Sequence, residues 1–153
     1  MTINHIYQPN GISCGPTCIK MALTYLVQGR VSTFTPTIEE ISEMCETDNI
    51  VGTPPDRMEK GLKALGVSYV EYSHTPRPYI TLVQILNSGN VPILRTITKG
   101  VPHWIIVTKI TDGQFFINDP WQGEIVYTEK ELDSIWKVRD YQFFELIKRP
   151  HAN

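Results

Sequence analysis

The feature that most constrains the fold of this chain is a change of apolar period near Asn90. Before that point apolar residues recur every three or four positions; after it they alternate or run together in short blocks. The first period belongs to helices and the second to strands. Cys18, Met21, Ala22, Tyr25 and Leu26 mark one buried face of a helix over residues 14 to about 27, ending before Gly29. A Thr- and Pro-rich connection follows. Thr37-Ile38-Glu39-Glu40 then has the pattern of a capping box and opens a helix to about residue 45. Thr53-Pro54-Pro55-Asp56 starts a third helix, with Met58, Leu62 and Leu65 on one side and Gly66 closing it. Residues 67–72 alternate as a strand, and a fourth helix covers about residues 80–86 before Asn87-Ser88-Gly89-Asn90 stops it.

Beyond Asn90, residues 91–97, 103–110, 114–118 and 124–127 read as strands, with Asp112-Gly113 as a hairpin turn. A second capping box, Thr128-Glu129-Lys130-Glu131, begins a short helix to about residue 136, and residues 141–147 form a last strand. The expected fold class is α+β, with an N-terminal helical layer packed against a C-terminal antiparallel sheet and a cleft between them. Neither repeats nor a dividing linker interrupt the pattern, so residues 1–153 are expected to form a single domain.

Charge narrows the partners. Lys and Arg number 14 against 16 Asp and Glu, scattered along the chain, which argues against nucleic acid or a membrane surface. The apolar runs are far shorter than a membrane span, and Met1-Thr2-Ile3-Asn4-His5 lacks the layout of a signal peptide. A cytoplasmic location is expected, with export by a signal-less route left open. Cys14, Cys18 and Cys45 cannot all pair within one chain, and no Cys or His spacing matches a zinc site. Reduced thiols, no metal and no cofactor are the expectation. Cys45 shares an apolar helix face with Ile38, Ile41 and Met44, which marks it as core.

Gln8-Pro9-Asn10-Gly11-Ile12-Ser13-Cys14-Gly15-Pro16-Thr17-Cys18 carries the chemistry. Pro9, Asn10 and Gly11 keep the approach irregular, and Pro16 suits a first helical turn, where a missing N–H costs nothing. Cys14 then stands at a helix N-terminus, which favours an anion and hence the nucleophilic thiolate. Taken alone it is equally a small buried residue. A nucleophilic thiol needs a base and a group to orient that base. His103 opens an apolar strand after the loop 98–102, so its ring can project into a cleft. Asn118-Asp119-Pro120 ends the neighbouring strand, and counting back from Asp112-Gly113 sets positions near 103 and 119 side by side. A carboxylate there would fix the imidazole tautomer and stabilise its cation. Gln8 can swing an amide N–H toward a developing oxyanion, with the Cys14 backbone N–H as second donor. His5, His74 and His151 have no such flanking pattern and are expected at the surface. Trp104 and Trp121 adjoin the pair, as core residues by default or as an indole shield over the His–Asp contact.

Gln8-x5-Cys14-Gly15-Pro16-Thr17, Gly100-Val101-Pro102-His103-Trp104-Ile105-Ile106-Val107 and Ile117-Asn118-Asp119-Pro120, in that order, closely resemble the C39-like cysteine peptidases, a papain-like group. The resemblance extends to the Gly66 turn, to Leu86 through Pro92 and to Asp119-Pro120-Trp121-Gln122-Gly123, covering nearly the whole chain. It implies a papain-like fold with Cys14 as nucleophile, His103 as general base, Asp119 as orienting acid and Gln8 as oxyanion donor. It also implies hydrolysis of an amide bond in a peptide or protein substrate. The family's best-known members remove bacteriocin leader peptides after a double glycine and are fused to transporters; this chain resembles its free-standing members. Two other readings stay open: a cleft that binds peptide without turnover, or an effector or toxin domain performing deamidation or acyl transfer. The loops 28–36, 73–79 and 98–102 carry no readable substrate preference, and oligomeric state is not legible.

Overall fold

A computed structural model describes residues 2–28 and 35–148 of the chain. Three helices come first: α1 (Cys14–Leu26), α2 (Ile38–Cys45) and α3 (Pro55–Leu65). The capping box of α2 forms in both directions, with the Thr37 hydroxyl accepting from the Glu40 N–H and the Glu40 carboxylate accepting from the Thr37 N–H. Gly66 ends α3 at a φ of +70°, a left-handed position that costs glycine little. Strand β1 (Tyr69–Tyr72) and helix α4 (Pro78–Asn87) follow. Then come β2 (Val91–Thr98), β3 (Val101–Thr111), β4 (Gln114–Asp119), β5 (Gly123–Thr128), helix α5 (Glu129–Trp136), a 3-10 turn (Lys137–Arg139) and β6 (Phe143–Leu146).

The fold is α+β, as expected. The six strands form one antiparallel sheet in the order β1-β6-β2-β3-β4-β5. β1 comes from the helical half of the chain, yet it pairs with β6 at one edge. On one face Val91, Ile93, Trp104, Ile106, Phe144 and Leu146 pack with Cys18, Met21, Ala22, Ile41, Met58 and Leu62 of α1–α3. On the other, Leu94, Ile105, Val107, Phe115 and Phe143 pack with Leu82 and Ile85 of α4 and Leu132 and Trp136 of α5. The sheet therefore carries a second helical layer in addition to the expected one. That is why residues 91–94 and 103–107 are buried without a break: a strand covered on both faces has no polar side to alternate with.

Two glycines set how closely the helices approach. A Cβ at Gly61 of α3 would overlap the Cys45 sulfur at the end of α2. A Cβ at Gly15 would lie 2.7 Å from the Met58 sulfur, 3.1 Å from the Thr53 Cβ and 3.3 Å from the Trp104 ring. The first turn of α1, with Cys14 in it, is thus pressed against α3 and against β3.

A β-bulge sets the other half of the site. From Thr111↔Gln114 the β3–β4 ladder runs to Lys109↔Phe116, then shifts so that Val107 opposes Ile117 and Ile106 opposes Asn118. Thr108 is the extra residue, and its hydroxyl donates to the Phe116 carbonyl at 3.2 Å. Unshifted, the ladder would set Asp119 opposite Ile106, whose side chain alternates away from that of His103. Shifted by one, Asp119 comes level with Ile105 and shares a side with His103. Positions 103 and 119 stand within side-chain reach, as expected, in a diagonal contact that the bulge makes possible.

Candidate active site

Cys14 occupies the first position of α1. The residue before it, Ser13, makes no side-chain cap; its hydroxyl donates instead to the Asn10 carbonyl at 3.3 Å. Asn10 folds the approach on itself, with its side-chain oxygen accepting from the Ile12 N–H at 3.1 Å. The Cys14 side chain is buried.

His103 is the third residue of β3, which begins at Val101 and not after a loop 98–102 as expected, and it is only 4% exposed. Its Nε2 donates to Asp119 Oδ1 at 2.7 Å, and the Cys14 sulfur is near enough to help raise the pKa of the ring. An ionised carboxylate only accepts, so the Asp119 contact places a hydrogen on Nε2 and leaves Nδ1 for the sulfur. Asp119 itself is fully buried and saturated with donors. Oδ1 also accepts the backbone N–H groups of Trp121, at 2.8 Å, and Gln122, at 3.0 Å, while Oδ2 accepts from Gln122 Nε2 at 2.9 Å. Donors in this number hold a buried carboxylate in its charged form.

The electrostatics follow from these contacts. Burial alone would depress the imidazolium of His103, but the hydrogen bonds and charges of Asp119 and Cys14 outweigh it and lift the group to about 9. Burial likewise pushes the Asp119 carboxyl up; the His103 and Gln122 contacts prevail and hold it below the usual carboxylate range. Burial, reinforced by the nearby Cys14 and Asp119 charges, drives the Cys18 thiol well up. Burial lifts Cys45 to about 12 against a hydrogen bond from the Gly61 backbone. Cys18 and Cys45 are protonated core thiols at neutral pH, as expected for Cys45. All three cysteines are free.

Gln8 is tied to the same region by its backbone. Its backbone N–H donates to the Pro120 carbonyl at 2.8 Å, which ties the Cys14 approach to the Asp119 turn. Its Nε2 donates to the Asn10 carbonyl at 2.6 Å, and its Oε1 is buried without a partner among the described residues. One amide hydrogen is therefore engaged and the second is left over.

The N-terminal arm holds a residue that sequence reasoning placed wrongly. His5, expected at the surface, is half-buried, and its Nε2 donates to the Asp119 carbonyl at 2.7 Å. Beside it, Asn118 Nδ2 donates to the Ile3 carbonyl at 2.9 Å. Residues 3–8 thus brace the end of β4 across more than a hundred positions, a contact no local spacing announces. His74 is exposed beside Asp140, as expected, and His151 lies outside the described residues. The two tryptophans divide their expected roles. Trp104 is buried and donates its indole N–H to the Thr53 carbonyl at 2.8 Å. Trp121 is 48% exposed and stands edge-on to His103, ring centroids 5.9 Å apart.

The structure therefore gathers Cys14, His103 and Asp119 at the junction of a helix N-terminus and an antiparallel sheet. The model of the peptidase C39 family matches residues 2–140, a span that contains all three. The chain belongs to the peptidase C39 family. This C39 peptidase is a cysteine peptidase with a papain-like fold. Its fold matches the peptidase domain of Streptococcus ComA, a bi-functional ABC transporter of a quorum-sensing pathway, at a TM-score of 0.69 and 16% identity, covering 96% of this chain and 99% of that one. It matches a double glycine motif protease from an AMS/PCAT transporter, solved with the leader peptide, at 0.72 and 17%, covering 94% and 91%. It also matches a protein described as a C39-like peptidase from Bacillus anthracis, at 0.71 and 14%, covering 96% and 95%. No curated protein matches the chain in sequence. Among the described residues of the C39 peptidase, no helix is long and apolar enough to cross a membrane, and no group of three or more His, Cys, Asp or Glu side chains is placed to hold a metal.

Proposed function

We propose that this C39 peptidase hydrolyses an amide bond in a peptide or protein with Cys14 as nucleophile, His103 as general acid and base, and Asp119 as the group that orients His103. The observation that carries the reading is the buried 2.7 Å contact from His103 Nε2 to Asp119, with the Cys14 sulfur at the head of α1 near enough to help raise the pKa of the same ring. A ring that holds a second proton to about pH 9 is able to take the thiol proton and pass it on to the leaving amine. The sulfur attacks the carbonyl carbon, and the resulting oxyanion accepts from the Cys14 backbone N–H and from the spare hydrogen of Gln8 Nε2. His103 gives its Nδ1 proton to the leaving amine as the C–N bond breaks, which leaves an acyl thioester. Neutral His103 then takes a proton from water, whose oxygen attacks the thioester, and the acid product and the thiolate are released. The same reading takes residues 1–153 as one peptidase domain, supported by two cores that share one sheet. It also takes the compartment as reducing and cytoplasmic, consistent with three free thiols.

The test is alkylation by iodoacetamide at mildly acidic pH, read by peptide mass mapping. Cys14 is expected to react well before Cys18 and Cys45, and His103→Ala is expected to remove that preference. Equal labelling of the three thiols in the wild type would overturn the catalytic assignment in favour of a peptide-binding cleft without turnover. Incubation with a peptide library, scored for cut chains against deamidated or transferred products, separates hydrolysis from other acyl chemistry.

A further inference from the structure

The hairpin between β2 and β3 brings a cation to the flank of His103. Thr98 pairs with Val101, so only Lys99 and Gly100 form the turn, at φ of 49° and 79°. Two left-handed residues in succession make a tight, rigid connection. It carries the Lys99 ammonium over Trp121, 5.3 Å from the ring centroid. Trp121 is fixed in turn by its N–H bond to Asp119 and by its edge contact with His103. A half-exposed indole under an exposed ammonium contributes little to the fold. Among the described residues no carboxylate lies within ion-pair distance of Lys99. The cleft beside Pro9, Asn10 and Ser13 has the other sign, being walled by Glu39, Glu43 and Glu46 of and just beyond α2.

This arrangement has a direction. The leaving amine must meet His103 to receive its proton, so the substrate residues beyond the scissile bond run past the imidazole. An extended peptide advances about 3.3 Å per residue. The first two leaving-side residues therefore pass over Trp121 and within reach of the Lys99 ammonium. Resting on the proposed peptidase reading, the geometry points to a leaving-side subsite, built from Trp121 and Lys99, that selects substrates carrying a carboxylate within two residues after the cleaved bond. That carboxylate is either an Asp or Glu side chain or the substrate's own C-terminus.

Binding to the full-length Cys14→Ala protein, read by calorimetry, tests the subsite without relying on turnover. The probes are peptides from the library of cut sequences or, if nothing is cut, alanine-based peptides of the same length. They differ only in the second leaving-side residue (Glu, Gln or Lys) with an amidated end, or end at that residue as free acid or amide. Glu over Gln, or acid over amide, is expected to bind about two- to fivefold tighter, the scale of an exposed ion pair, with the difference shrinking as salt rises. Lys99→Ala should equalise the pair and Lys99→Glu should reverse it in favour of Lys. The arm that responds identifies the source of the carboxylate. Equal affinities across both arms, or a preference unaffected by Lys99→Glu, overturn the subsite. A preference that survives Lys99→Ala and Lys99→Glu overturns the subsite; one that follows Lys99 while the wild type cuts none of the peptides keeps the carboxylate contact and overturns the proposed role of Cys14 and His103 on those peptides, which separates the two failures.

Discussion

Replacing Asp119 with asparagine removes the charge behind His103 while keeping a hydrogen-bond acceptor of the same shape. In the wild type that charge helps lift the buried imidazole from 6.5 to about 9 against the pull of burial. A raised imidazole stabilises the folded chain wherever the folded form holds a proton that the unfolded form has released. The contribution is complete below about pH 6.5 and is lost as pH climbs through about 9. From about pH 6 to pH 8 this linkage removes on the order of 2 kcal/mol, which for a chain of this size is a fall in Tm of roughly 4–8 °C. With asparagine at 119 the hydrogen bond to a charged carboxylate and its charge are lost while burial still pulls the imidazolium down, so the ring is lifted less and the fall is smaller. Circular dichroism melts of both proteins across that range give the comparison, and titrating groups common to the two cancel in the difference. The expected result is a steeper loss of Tm with rising pH in the wild type than in Asp119→Asn. Parallel slopes would show that the His103–Asp119 contact carries no charge coupling and would refute the electrostatic account of the site.

Gly61→Ala is expected to lower stability by about 1–3 kcal/mol in urea denaturation, because its methyl would overlap the Cys45 sulfur. Adding Cys45→Ala should recover part of that loss, and strictly additive costs would mean that the α2–α3 spacing is set elsewhere. Gln8→Ala is expected to reduce kcat roughly 10²-fold on a cleaved peptide with KM little changed, the signature of a donor used only in the transition state. A loss confined to stability would assign Gln8 to the Asn10 turn instead.

Local patterning determined much of this protein. Both capping boxes, the Gly66 stop and the Asp112-Gly113 hairpin act over a few residues, so the order and type of the elements could be read directly. The candidate site residues could be picked out for the same reason, since Cys14 opens α1, Asp119 ends β4 and His103 stands three residues into β3. Tertiary structure alone decided how those boundaries meet. The Thr108 bulge, which brings Asp119 onto the side of His103, depends on pairing between two strands and leaves no mark in the period of either. The His5 and Gln8 contacts with residues 119 and 120, like the addition of β1 to β6, join parts of the chain far apart in sequence. Trp104 and Trp121 follow His103 and Asp119 closely in sequence, yet one is buried against Thr53 and the other stands half-exposed and edge-on to His103. Packing separates them, because burial depends on what the rest of the chain brings to each side chain.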